Sequence, residues 1–138
     1  MAEPSIHTKH WLALKSRIDT LVTNPTLPRA EPGQVIDSSS PYLLISDARN
    51  PVQRLGIDTD LHQYTGTLIL SARWPIATPI SHAQLVEIGG DIADHFPADT
   101  MMQYGGVCIR VTENATMLQP DVDGAWRFVT VRVLWSSM

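Results

Sequence analysis

Apolar residues recur along this chain in two rhythms, one near 3.6 residues and one of two, and the switches between them mark out its elements. Trp11, Leu14, Ile18, Leu21 and Val22 repeat at helical spacing. Ser5 can cap the end before them by accepting from a free backbone N–H of the first turn, so a helix is predicted over 5–23, stopping before Pro25. Four prolines, Gly33 and the run Ser38 to Ser40 interrupt residues 24–41. That stretch reads as an irregular surface connection with a short extended piece at Val35-Ile36.

Strands and an arm are predicted over 42–73. Tyr42 to Ser46 is rich in strand formers, and Asp47 to Leu61, with Pro51, Gly56 and three aspartates, reads as a hairpin arm. Tyr64, Gly66, Leu68, Leu70 and Ala72 then alternate with Thr65, Thr67, Ile69, Ser71 and Arg73. A strand patterned like this has one apolar face, which in a small domain carries a helix. Ser81 and Gln84 have the spacing of a capping box, opening a helix over 81–95 whose buried stripe is Leu85, Ile88, Ile92 and Phe96, with Pro97 as its stop. Gly89 beside that stripe allows close approach to a sheet. Two further strands follow at 106–112 and 126–135, the second with Val129, Val131 and Val133 on one face, separated by a polar turn region from Glu113 to Gly124. The predicted class is α+β: a single domain over 1–138 with an antiparallel sheet of mixed strand order packed against two α-helices and a protruding β-hairpin arm.

Composition narrows the function classes. The 138 residues suit one core, and a formal charge of −4 argues against general phosphate binding. The single cysteine, Cys108, excludes an internal disulfide and a thiolate zinc site. Met1-Ala2-Glu3-Pro4 lacks the pattern of a signal peptide, so no secretion is expected, and no apolar run approaches the roughly 20 residues of a membrane span.

Candidate chemistry is sparse. Asp91 and His95, four apart, share a helix face, and with His82 they form the candidate metal set of a small metal-dependent hydrolase; the plainer reading is a solvated helix face. His7 and His10 flank the first apolar stripe. No serine lies in a Gly-x-Ser-x-Gly elbow, Cys108 sits inside an alternating strand as a small buried thiol would, and Gly105-Gly106 lacks the lysine and helix of a phosphate loop. No catalysis and no cofactor are expected. Trp11 and Trp135 fall in periodic segments and read as core, whereas Trp74 and Trp126 border loops and are candidate interface anchors.

The element order and particular residues resemble the phage tail terminator-like family, small proteins that close the top of the tail tube in long-tailed bacteriophages. The resemblance runs through the helix at Leu12 to Leu21, Pro41-Tyr42-Leu43, Tyr64-Thr65-Gly66-Thr67-Leu68, Asp94-His95-Phe96-Pro97, Gly106-Val107-Cys108-Ile109-Arg110-Val111 and Trp126 to Trp135. It implies a virion structural protein, assembled in the host cytoplasm, that forms a hexameric ring on the head-proximal end of the tail tube. Its partners would be copies of itself, the major tail tube protein and the head–tail connector, with DNA crossing the lumen unbound. An acidic balance suits that passage. On this reading Arg49, Gln53 and Arg54 of the arm, with Trp74 and Trp126, make subunit or tube contacts, and Asp58 and Asp60 face the lumen. A neck or head–tail joining protein is the alternative within the virion, and a ringless adaptor domain the blandest one.

Overall fold

The structure, a computed structural model, describes residues 4–34, 40–54 and 62–137, without the Arg54 side chain. Val35-Ile36, Asp58 and Asp60 lie outside the described residues. Two helices and nine strands follow in the order α1 (Ile6–Ile18), β1 (Arg29–Ala30), β2 (Tyr42–Arg49), β3 (Gln53–Arg54), β4 (His62–Pro75), α2 (His82–Asp94), β5 (Met101–Tyr104), β6 (Val107–Val111), β7 (Thr116–Met117), β8 (Asp121–Asp123) and β9 (Trp126–Ser137) among these residues.

One ladder organises them. β4 and β9 run antiparallel from Tyr64 opposite Ser137 to Pro75 opposite Trp126. The outer side of β4 takes β2, with Tyr42 opposite Arg73 and Arg49 opposite Gly66, and β2 takes β1 in parallel. The outer side of β9 takes β6, β7 and β8 at successive positions, and β5 closes that edge against β6. Because side chains alternate between faces, this register gathers Leu43, Ala72 and Val129, then Ile45, Leu70 and Val131, then Leu68 and Val133, on one face. All are buried. Both helices cover that face, giving the α+β architecture that the alternation predicts.

The second helix forms as its sequence dictates. Ser81 Oγ accepts from the Gln84 N–H at 3.2 Å and Gln84 Oε1 accepts from the Ser81 N–H at 3.1 Å, which satisfies two otherwise free donors. Leu85, Ile88 and Ile92 face the sheet, and Phe96, just past the helix, is fully buried. Gly89 is the point of closest approach: a Cβ there would meet Met117 Sδ and Val129 Cγ2, each at 2.7 Å.

The first helix is shorter than its periodicity suggests. It ends at Ile18, where Thr20 Oγ1 donates to the Arg17 carbonyl at 2.7 Å and a turn follows. Beyond that turn helical spacing no longer governs which side faces inward. Leu21 is still buried, but Val22, counted in the apolar stripe, is 80% exposed.

Four strands were not anticipated, and one of them, β1, lies in the stretch read as an irregular connection. β5 pairs with β6 through Gly105 and Gly106, whose φ angles of +56° and +85° match the two left-handed positions of a tight hairpin turn. β7 and β8 lie within the segment read as a long polar turn. They form because ladder bonds are made by the backbone, and the adjacent edge of β9 offers free groups to pair. The arm also begins later than Asp47: Asp47 to Arg49 continue β2 within the main sheet, and β3 extends the hairpin through Gln53 opposite Gln63 and Arg54 opposite His62.

Glycines at the sheet and helix give a direct check of this packing. Gly66→Ala brings a Cβ within 2.6 Å of the Trp135 ring and 2.8 Å of the Ala48 carbonyl, and Gly89→Ala meets Val129. Each substitution is expected to lower stability by about 1–3 kcal/mol in urea unfolding. Gly90→Ala meets nothing within 4 Å and should raise it by up to about 1 kcal/mol through helix propensity. Equal effects at positions 89 and 90 would contradict the helix–sheet contact.

Candidate functional site

The three candidate metal ligands do not converge. His82 opens α2 and His95 caps its other end, which at 1.5 Å per residue separates them by about 20 Å. His95 is committed elsewhere: its Nε2 donates to the Arg17 carbonyl at 2.9 Å and lies 2.8 Å from Thr20 Oγ1. In return the Arg17 guanidinium donates to the His95 carbonyl at 2.8 and 3.0 Å. This exchange ties together the C-terminal ends of the two helices. Among the described residues no group of three or more His, Cys, Asp or Glu side chains is placed to hold a metal ion.

The proposed arm residues divide. Arg49 projects to the helix side and finds its carboxylate in its own strand: Nη2 donates to Asp47 Oδ2 at 2.8 Å, while Nη1 donates to the His7 carbonyl at 3.1 Å. Its Cζ lies 5.8 Å from the centroid of the Trp135 ring. Arg49 therefore fastens α1 to the sheet, whereas a subunit or tube contact was expected of it. The spacing Asp47-x-Arg49 carries that signal, since strand residues two apart share a face. Gln53 is exposed at the base of the arm.

Beside Arg49, His10 is completely buried, with its ring 4.8 Å from Tyr64 and 5.6 Å from Trp135. Neither ring nitrogen has a hydrogen-bond partner among the described residues. It belongs to the core rather than flanking the apolar stripe. Burial, then the positive charge of Arg49, then His7, lowers its pKa from the ordinary histidine value, with Asp47 pulling the other way.

The two loop-bordering tryptophans also separate. Trp74 is only 5% exposed and packs in the core, so it offers no free ring to another chain. Trp126 is half-buried on the opposite face of the sheet. That face carries neither helix. At one end of it the Tyr42 and Trp126 rings meet edge to face at 5.3 Å, and Arg73 lies over Trp126 and Phe128 with Cζ 5.7 and 5.5 Å from the ring centroids. Leu44, Ile69, Thr130, Arg132 and Leu134 continue the face. Aromatic and arginine side chains grouped on an uncovered surface are typical of protein interfaces.

A sheet with one face covered by two helices and one face open defines an α+β fold. The chain belongs to the phage tail terminator family, whose model, described as phage tail terminator protein, matches residues 10–135. Members are structural proteins of the tail, which makes this protein a virion component. A solved structure superposes with a TM-score of 0.70 at 19% identity, covering 93% of this chain and 95% of that one; at that identity the likeness concerns the fold. No curated protein matches. Among the described residues no helix is long and apolar enough to cross a membrane.

Two histidines set a pH dependence. His10 and His95 both have lowered folded pKa values, each chiefly through burial, so the unfolded chain binds more protons than the folded one below the ordinary histidine value of about 6.5. Stability is therefore full above that pH and declines as the pH falls towards the folded values. Denaturant unfolding between neutral and mildly acidic pH should show this decline, and His10→Phe should reduce its slope. An unchanged slope in that variant would remove His10 from the account.

Proposed function

We propose that the protein forms a ring, hexameric as the family resemblance implies, that caps the head-proximal end of the tail tube, ends tube polymerisation and presents the attachment surface for the head connector. The observation that carries this reading is the uncovered sheet face with its aromatic and arginine side chains, in a chain matched over residues 10–135 by the terminator family. A cap needs surfaces for two neighbours, for the last tube ring and for the connector, and it needs no chemistry. The formal charge of −4 favours passage of DNA over retention, because like charges do not hold a phosphate backbone. The hairpin continued by β3 supplies the tube contact, with Gln53 and Arg54 at its base.

Electron microscopy of particles made with and without this gene product tests the proposal. Overlong tails unattached to heads are expected in its absence, and normal tails beside DNA-filled heads would move the protein to the neck. Arg54→Glu should reproduce the overlong tails in part; wild-type length in that variant would remove the arm from the tube contact.

A further inference from the structure

An acidic helix face and a sheet face that bears two arginines lie on opposite sides of this domain. On α2, Glu87, Asp91 and Asp94 stand at i, i+4 and i+7 and so share one helix face, turned away from the buried Leu85, Ile88 and Ile92. The helix has no lysine or arginine, and none of the three carboxylates has an ion pair among the described residues. Like charges at this spacing repel, and Asp94 lies at the negative end of the helix dipole. Within the isolated chain the arrangement is unfavourable, and a cationic surface would relieve it.

The open sheet face offers cations for it on its β4 and β9 strands, while Asp121 and Asp123 of β8 share that face. Arg73 and Arg132 are the charged residues that β2, β4 and β9 present there. Arg132 is exposed and without an ion pair among the described residues, and Arg73 has an Nε shut off from solvent without a partner. Arg132 sits opposite Ile69, four residues from Arg73 along β4 and one strand across, which places the two backbones about 14 Å apart. Glu87 to Asp94 spans about 10 Å along α2. Flexible arginine side chains cover the difference.

We infer that α2 of one copy docks on the open sheet face of the next, with its carboxylate stripe along Arg73 and Arg132 and with Trp126 and Phe128 as apolar anchors. The inference rests on the ring reading and names the contact that would close the ring. Since the two surfaces lie on opposite sides of the sheet, the contact is head-to-tail, the kind that generates rings, and not a two-fold dimer. Asp121 and Asp123 on β8, opposite Phe128 and Trp126, repel the stripe at one margin and so restrict where it can sit.

The test is a charge exchange. Wild-type protein, Arg132→Glu, the pair Glu87→Lys with Asp91→Lys, and all three changes combined are supplied to a phage lacking the gene. Tail length is read by electron microscopy, and self-association by sedimentation at low and high salt. Each half-exchange should weaken association roughly tenfold or more and give overlong tails, the combined chain should regain normal tails, and circular dichroism should show all four folded. Should Arg132→Glu misfold, Arg132→Ser reads the same contact through a smaller loss. If wild type restores tail length and both half-exchanges do so equally well, the docking is wrong and the terminator reading stands. Overlong tails from Arg132→Glu alone would assign the face to a different tail protein and overturn the self-docking. If wild type leaves tail length unchanged, the terminator reading itself fails.

Discussion

The register between β4 and β9 is the constraint on which the other features depend. Side chains alternate with a period of two, so a slip of one residue would put Leu68, Leu70 and Ala72 on the face opposite to Val129, Val131 and Val133. The ladder also determines what can join it. β2 reads its register from β4, three short strands read theirs from β9, and α2 approaches through Gly89 to rest on Val129. The open face, with Arg73, Phe128 and Arg132, is the other half of the same alternation. Core and surface are therefore products of a single pairing.

That dependence explains what the sequence makes legible. The alternation from Tyr64 to Ala72 and the Ser81 capping box concern residues close together in the chain, and both predict the elements found. Extending the same count by one step would have separated the two loop-bordering tryptophans: Trp74 continues the even positions of β4 into the core, whereas Trp126 opposes the buried parity of Val129 and Val131. The missed strands β1, β5, β7 and β8 are short, so no apolar rhythm announces them. They exist because an adjacent edge offers backbone partners. Gly105-Gly106 and Asp123-Gly124 are the local traces of those hairpins. The role of Arg49 was hidden for a different reason, since its hold on the His7 carbonyl spans 42 positions of sequence.

The domain also tolerates several buried polar atoms without partners among the described residues, including both nitrogens of His10, Nε1 of Trp74 and Trp135, and Nε of Arg73. Each such group costs roughly 1–3 kcal/mol against a hydrogen-bonded equivalent. For a lone domain whose net stability is of the order of 5–15 kcal/mol this is a substantial burden. A protein that works inside an assembly has a further source of stability, because any partner that binds only the folded form shifts the equilibrium towards it. Fold and assembly are linked energetically as well as geometrically.

The position of β9 in the chain adds a consequence for synthesis. Its partner β4 ends at Pro75, yet β9 begins only at Trp126, and at about 5–20 residues per second the ribosome needs roughly 3–10 s to cover that interval. Throughout it one edge of β4 lacks its partner strand. The open face takes half its side chains from β9, so a nascent chain cannot display that surface in finished form. That surface is thus completed only by the last strand to leave the ribosome.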